Sequence, residues 1–447
     1  MNNGERNNMK KIGFVSLGCA KNLTDTETML GLLSGDGYEI TADPADADVI
    51  VVNTCAFIDS AKEESINAIL EMAEYKKDNC ELLVVTGCLA QRYKEEIEEQ
   101  LPEVDIILGT SDYAKIAVVI DEYYADGTKK SIVGDANENV ADNLPRIRST
   151  APYTAYLKIA DGCDNHCTYC IIPKLRGKFR SRSEESILSE AQQMAAQGVK
   201  ELILVAQDTA CYGMDFGAHT LSSLVHKLSL IDGIEWIRLQ YCYPENITDD
   251  LIDEIASNEK VVKYLDMPLQ HVSDNVLRRM GRRSRNDEIK SLIKNLRSRI
   301  DGLVIRTSLI VGFPGESDAD FECLLDFLKE FRLDRVGVFT YSREEDTPAY
   351  GFDRQIDADT AQSRRDTLMA AQMEISAEKN NEKIGKVVRV IIEGYDEGEF
   401  CYVGRTEADT PDGDGVAYVY SEDELSAGDI TEATVIDANE YDVICRL

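Results

Sequence analysis

Between Lys11 and Val133 short β-rich runs alternate with helical stretches: IGFVSL, DTETMLGLLSGDG, VIVVNT, SAKEESINAILEMAEYKK, LLVVTG and KEEIEEQL. Such alternation dictates a parallel sheet, because each strand must be carried back by a crossover helix before the next can pair beside it. Residues 10–135 are therefore expected to form an N-terminal parallel α/β sheet domain. A polar connector, roughly 135–149 and containing Asn143 and Pro145, precedes a second series that begins at Tyr153. Six more strand candidates follow: YTAYLKIA, ELILVAQ, WIRLQYCY, KYLDMPLQ, LVIRTSLIVGF and RVGVFTYS. The segments between them, among them EESILSEAQQMAAQG and DFECLLDFLKEF, repeat apolar residues at three and four. Six βα units predict a partial (β/α)6 barrel over residues 149–379. After a long helical stretch, Ala358 to Asn380, the runs KVVRVIIEGY, EFCYVGRTE, GVAYVY and ITEATVIDA are separated by Gly and Asp turns. They predict a small all-β, OB-like barrel over 380–447.

A chain of 447 residues exceeds what one core can hold. No apolar run is long enough to cross a bilayer, and the first ten residues, Met1 to Lys10, are polar rather than signal-like, so the expected location is cytoplasmic, away from any membrane. In that reducing compartment the twelve cysteines point to metal, catalysis or packing rather than disulfides. With 48 basic against 82 acidic residues the net charge is -34, which repels a phosphate backbone and suits a basic protein partner.

The run Cys163-Asp-Asn-His-Cys167-Thr-Tyr-Cys170 follows the first barrel strand. Three thiolates can hold three irons of a 4Fe-4S cubane and leave the fourth open to a substrate. With Tyr169 in the penultimate position, the run resembles the cluster loop of radical S-adenosylmethionine (SAM) enzymes, in which the amino and carboxylate groups of SAM fill the open iron. A zinc knuckle using His166, or a chance group of buried thiols, is the competing reading. Cys19, Cys55 and Cys88 each stand at the end of a strand candidate in successive βα units. Adjacent parallel strands share one carboxyl rim, so these thiols are expected to converge on a second three-thiolate cluster; small buried strand-end residues are the bland alternative. Cys80, Cys211, Cys242, Cys323, Cys401 and Cys445 share no spacing and read as structural.

Taken together, FVSLGCAKNLTDTE (Phe14 to Glu27), CTYCIIPKLRGKFRSR (Cys167 to Arg182), VAQDTACYG (Val205 to Gly213), YLDMPLQH (Tyr264 to His271) and VGFPGES (Val311 to Ser317) resemble the radical SAM methylthiotransferases over nearly the whole chain. The resemblance implies an N-terminal cluster domain, a radical SAM barrel and a TRAM β-barrel. Within the family these segments look like the RimO branch, which adds a methylthio group to the β-carbon of an aspartate in ribosomal small-subunit protein twelve. The sister MiaB-like branch modifies a tRNA adenosine; there an Asn follows the Gln that matches Gln207, where this chain has Asp208. The tail from Glu382 to Leu447 holds five basic and seventeen acidic residues, unlike an RNA-binding module and complementary to a basic ribosomal protein.

By the same resemblance the cofactors are two 4Fe-4S clusters and two SAM molecules per turnover, one the methyl donor and one the source of a 5'-deoxyadenosyl radical. A low-potential donor such as flavodoxin or ferredoxin supplies electrons. A radical is required because no side-chain base of ordinary pKa ionises an unactivated C–H bond. At the barrel's carboxyl rim Gln207, Asp208, Tyr241, Gln270, His271 and Gly312, with Tyr169, are the candidate SAM or substrate contacts. His271 equally suits a structural histidine, and Gly312 with Gly315 a turn. Two basic runs, Lys174, Arg176, Lys178, Arg180 and Arg182, then Arg278, Arg279, Arg282, Arg283 and Arg285, offer carboxylate binding, RNA contact or a solvated face.

Overall fold

The computed structural model describes residues 9–138, 142–411 and 413–447. Residues 1–8 of the polar stretch Met1 to Lys10, and 139–141 in the middle of the expected connector, lie outside them. The chain packs as two units. The first takes in the chain up to Ser149 with Ala160–Asn165 and Cys170–Ser186, and the second takes in Thr150–Ile159, His166–Tyr169 and Ile187–Leu447.

The first unit is built on β1 (Lys11–Ser16), β2 (Glu39–Thr41), β3 (Val49–Thr54), β4 (Leu82–Gly87), β5 (Ile106–Leu108) and β6 (Lys130–Ile132), in the order β2-β1-β3-β4-β5-β6. All neighbours are parallel. The central runs VIVVNT and LLVVTG are buried along their whole length, as strands covered on both faces must be. Val49, Val51, Leu82 and Val84 pack with Met29, Leu33 and Ile116 on one face. Ile50, Val52, Leu83 and Val85 pack with Ile69, Ile97 and Leu175 on the other. Sequence patterning misses β2, β5 and β6 because three residues are too few to show a period. Helix Ala20–Gly35 carries the buried Glu27, whose carboxylate takes the Arg146 guanidinium and the Ser149 N–H and hydroxyl. The far end of the connector is thus pinned to this helix.

In the second unit β7 (Thr154–Lys158) begins the predicted series; the following pair, β8 (Ala160–Asp161) antiparallel to β9 (Arg180–Ser181), belongs to the first unit. The series continues with β10 (Glu201–Val205), β11 (Trp236–Leu239), β12 (Val261–Asp266), β13 (Val304–Val311) and β14 (Arg335–Thr340). They form a six-stranded parallel sheet, β14-β13-β12-β11-β10-β7, in unbroken chain order, the topology of the expected partial barrel. Helix starts are set by local chemistry. Ser317 caps Asp318–Phe331 in a capping box with Asp320, and Asp357 caps Ala358–Asn381 through Thr360 N–H.

Asp320 also accepts from the Ser273 hydroxyl and the Asn275 amide. Burial works against its charge, but the Ser273 and Ser317 hydroxyls, the Ser317 N–H and Asn275 hold its carboxyl at about 2. That pKa lies below the unfolded value of about 3.9, so the stabilisation is present above about pH 4 and is lost as pH falls toward 2. Asp320→Asn is expected to cost about 1–2 kcal/mol at pH 7 by urea unfolding. The gap from wild type should close between pH 4 and pH 2; an equal gap at pH 7 and pH 2.5 would contradict this role.

The C-terminal barrel is closed, β15 (Val387–Asp396), β16 (Cys401–Thr406), β17 (Ala417–Tyr420), β18 (Ile430–Ala438) and β19 (Val443–Arg446), in the order β15-β16-β17-β19-β18. The short β19 completes it and was not foreseen. This barrel docks on the parallel sheet of its own unit: Ile391 joins Tyr153, Trp236, Val262 and Tyr264 in one apolar cluster. Around that cluster runs a set of buried and part-buried ion pairs. Glu201 receives Arg238 and Arg405, Arg335 meets Asp409, and Arg306 meets Asp414. The acidic tail is therefore not uniformly solvated; Asp409 and Asp414 serve as internal partners for barrel arginines.

Candidate functional site

β1, β3 and β4 lie side by side, so their carboxyl ends share one rim. Cys55 and Cys88 follow directly on β3 and β4, and Cys19 stands three residues after β1 as the N-cap of Ala20–Gly35. Two glycines make the close approach possible. A Cβ on Gly18 (φ +90°) would lie 2.9 Å from Cys55 Cβ and 3.1 Å from its Sγ. One on Gly87 (φ +92°) would strike Asn53 Oδ1 at 2.3 Å.

Polar side chains tie the three loops together. Asn22 Nδ2 donates to Leu17 O and to Thr54 O, both at 2.9 Å, joining the Cys19 loop to the end of β3. Thr54 Oγ1 donates to Thr86 O at 2.5 Å and accepts from Leu89 N–H at 3.2 Å, joining β3 to the Cys88 turn. Ser65 clasps Cys55, accepting from its N–H and donating to its carbonyl. The thiols feel one another. Burial pushes Cys88 up to about 12, with Cys55 and Cys19 adding to the rise and Arg176 opposing it. Cys55 is raised by burial and by Cys19. Cys19 is the exception. The surrounding protein works against its charge, but Lys21, then Arg176 and the N–H groups of Asn22 and Lys21 outweigh it, so this thiol is lowered. A thiolate at a helix N-terminus is the expected consequence of that geometry.

Of the second triad, Cys163 and Cys170 belong to the first unit, and Cys163 N–H donates to Gly177 O at 3.0 Å. Cys167 belongs to the second unit, where its Sγ lies 4.0 Å from the Tyr243 hydroxyl. The Arg282 guanidinium stacks over the Tyr243 ring at 4.2 Å and is 3 % exposed. Its Nη2 donates to Pro268 O at 3.0 Å, while Nε and Nη1 are buried and have no hydrogen-bond partner among the described residues. Burial would depress this group, but Tyr169, Tyr243, Glu245 and Cys167 hold it above the usual arginine range.

The remaining rim candidates divide. Asp208 is buried and accepts from Asn246 Nδ2 at 2.7 Å and Tyr243 N–H at 3.3 Å, so it braces the loop after β11. Tyr241 (φ 60°) and Gln270 (φ 69°) hold left-handed backbone, a strain that non-glycine residues keep where the surroundings impose it. Gln207 is half-buried after β10. His271 is fully buried; its Nδ1 accepts the Ser273 N–H at 2.9 Å and its Nε2 faces Glu316 at 3.7 Å. Gly312 donates its N–H to Glu316, and Ala361 fills the space beside it. Tyr169 meets Phe313 edge-on at 6.4 Å.

Neither basic run is a continuous patch. Arg176 is buried among carboxylates, Arg180 bonds backbone carbonyls, and Arg182 reaches Asp142 and Ser186. In the second run Arg279 bonds Pro314 O and Asp353, Arg282 is buried, and Arg278 is exposed beside Asp274. Alternation of inward and outward side chains, invisible to a count of charges, breaks up both. Sequence reasoning also missed Asn22, Thr54, Ser65 and Tyr243, whose roles depend on which strand ends are neighbours.

Among the described residues no group of three or more His, Cys, Asp and Glu side chains is gathered closely enough to hold a single ion. A cubane places each thiolate on a different iron, so its ligands stand farther apart than those that share one metal. The donor set of the first unit, three thiols at the ends of adjacent strands, has the chemistry that such a group takes.

Three family models match: an uncharacterized protein family, UPF0004, over residues 11–109, the radical SAM superfamily over 157–328 and the TRAM domain over 384–447. A protein of Acetivibrio thermocellus described as ribosomal protein uS12 methylthiotransferase RimO is 52% identical over 445 residues, covering 97% of this chain and 98% of the relative. One of the same description from Geobacter sulfurreducens is 49% identical over 441 residues, 98% of each chain. Among solved structures, the radical SAM methyltransferase TsrM of Kitasatospora setae, with cobalamin and a 4Fe-4S cluster bound, superposes with a TM-score of 0.57 at 14% identity, over 76% of this chain and 77% of that one. That likeness concerns the fold.

Proposed function

The chain belongs to the RimO family of ribosomal protein uS12 methylthiotransferases, and from that premise we propose that Cys163, Cys167 and Cys170 hold a radical-generating 4Fe-4S cluster while Cys19, Cys55 and Cys88 hold a second. The full-length similarity carries the activity: the protein is a radical SAM methylthiotransferase with ribosomal protein uS12 as substrate. We assign the cluster domain to residues 10–135, the radical SAM core to 149–379 and the TRAM domain to 380–447. The finer reading is that the methylthio group goes to an aspartate β-carbon, at the expense of two SAM, in the cytoplasm, with a flavodoxin- or ferredoxin-like donor.

When bound, the clusters and SAM supply the electron, the radical, the methyl group and the sulfur. The chain's own residues hold and orient. Asn22, Thr54 and Ser65 fix the three strand-end loops so that their thiols face one rim. Tyr243 and Arg282 cover Cys167 and exclude water from it. Tyr241 and Gln270, both held in left-handed backbone, stand past the carboxyl ends of β11 and β12 in the second unit.

Incubation of the reconstituted, reduced protein with SAM and sulfide, separately with tRNA and with a uS12 peptide, should add the methylthio mass to the peptide only. Product on tRNA alone would sink the substrate assignment in favour of the MiaB-like alternative. Cys163→Ala should abolish deoxyadenosine formation on reduction with SAM; unchanged formation would refute this cluster assignment.

A further inference from the structure

Arg176 lies six residues past Cys170 and is 3 % exposed. Its Nη1 donates to Asp25 Oδ2 at 2.7 Å and to Asp161 Oδ2 at 3.1 Å, and its Nη2 donates to Asn22 Oδ1 at 2.7 Å. Those partners come from two places in the chain. Asn22 and Asp25 stand on the helix that Cys19 caps, and Asp161 stands two residues before Cys163. The helix that bears Arg176, Ile172–Arg176, is itself anchored in the first unit: Leu175 packs in the core below β4, and Thr110 Oγ1 donates to Leu175 O at 2.5 Å.

A buried guanidinium with two carboxylates adds little net stability compared with apolar packing of the same volume. Folding alone therefore gives no reason for this arrangement. Asn22 already joins the Cys19 loop to the end of β3, and Thr54 joins that end to the Cys88 turn. Arg176 extends the same network, through Asp161, to the start of the other cysteine loop. We propose that Arg176 is the positioning residue that couples the two cysteine loops, its planar fork fixing the spacing between the Cys19 helix and the segment entering Cys163, and its charge facing the N-terminal thiolates. The proposal rests on the reading that both cysteine sets hold clusters. Its guanidinium reaches that side through Asn22, three residues past Cys19 on the helix that Cys19 caps.

A lysine keeps the charge but cannot reach three acceptors from one plane. An Asp161→Asn change weakens only the link to the Cys163 segment. Sulfur insertion needs the carbon radical and the methylthio donor in register, and displacement by about 1 Å is enough to cost up to about a hundredfold in such a step. The full chain, reconstituted anaerobically, is compared as wild type, Arg176→Lys, Arg176→Met and Asp161→Asn. The first readout is the ratio of methylthiolated uS12 peptide to deoxyadenosine formed, which cancels losses in total active enzyme. It should fall at least about tenfold in Arg176→Lys and Asp161→Asn. The second is the midpoint potential of the N-terminal cluster, followed by EPR in a Cys163→Ala background. It should move negative in Arg176→Met, because a nearby cation favours the reduced cluster, and stay at the parent value in Arg176→Lys.

A wild-type ratio in both Arg176→Lys and Asp161→Asn overturns the positioning role whatever their rates. An unmoved potential in Arg176→Met overturns the electrostatic one. Should Arg176→Met not retain iron, a potential shifted in Arg176→Lys would overturn it instead. Failure of the two-cluster reading looks different: the wild-type chain would carry about four irons and Cys163→Ala none.

Discussion

Cys55→Ala is expected to lower the iron content from about eight to about four per chain and to abolish methylthio transfer while deoxyadenosine is still formed. Cys55 sits directly after β3, half-buried, with its backbone clasped by Ser65 on both sides. Removal of one sulfur leaves those backbone bonds intact, so the lost function reports on the thiolate rather than on folding. The reciprocal change, Cys163→Ala, should also leave about four irons but stop deoxyadenosine formation. Iron analysis with product and deoxyadenosine measured in the same reaction separates the two. Full iron and normal transfer in Cys55→Ala would remove the N-terminal triad from the site.

The second large effect is one of stability. Glu201→Gln should destabilise the second unit by about 3–5 kcal/mol, because it leaves two buried arginines without their carboxylate. Glu201 is fully buried; Arg238 Nε donates to it at 2.9 Å, Arg405 donates to the other oxygen, and Thr154 Oγ1 adds a bond at 3.2 Å. Arg405 stands on β16 and continues to Glu393, so this carboxylate is a clamp between the parallel sheet and the C-terminal barrel. The sole tryptophan, Trp236, lies in the apolar cluster of the same interface and makes its fluorescence a direct report. Replacing the whole group, as Glu201→Leu with Arg238→Met and Arg405→Leu, should recover most of the loss, since no buried charge is then left unpaired and Glu393, freed of Arg405, is exposed.

The same clamp has a pH signature. Burial opposes the Glu201 charge, but Arg405 and Arg238 overcome it and hold the carboxyl below its ordinary range. A depressed carboxyl contributes above the unfolded pKa of about 4.3, and the contribution disappears as pH falls through the lower folded value. Wild-type Trp236 fluorescence should therefore show loss of the interface on acidification below about pH 4, whereas the apolar triple variant should show a flatter acid limb. An identical acid limb in both would show that this cluster does not govern the interface.

Much of this was legible in the chain itself. Long uninterrupted runs such as VIVVNT and ELILVAQ announce buried parallel strands because both of their faces need apolar cover. Six of them separated by helices leave few topologies other than sequential right-handed crossovers. The strand-end position of Cys55 and Cys88 could be read from the runs they follow. Short strands could not: Glu39–Thr41, Ile106–Leu108 and Val443–Arg446 acquire strand geometry from the neighbours they pair with, not from their own pattern.

Charges show the boundary between the two most plainly. Counting fixes the net charge of -34 and the excess of acid in the tail. It does not reveal that Arg176 and Arg282 turn inward while Arg278 faces solvent, or that Asp409 and Asp414 neutralise barrel arginines rather than meet a partner. What the amino-acid sequence determined by itself is the class of each domain, the six cysteines at strand ends and in one loop, and the family they imply, because spacing and periodicity are local properties. Tertiary structure alone decided which side chains bind those loops to one another. Asn22, Thr54, Arg176 and Asp161 are far apart in the chain, and a hydrogen bond about 3 Å long exists only after the sheet has brought its ends together.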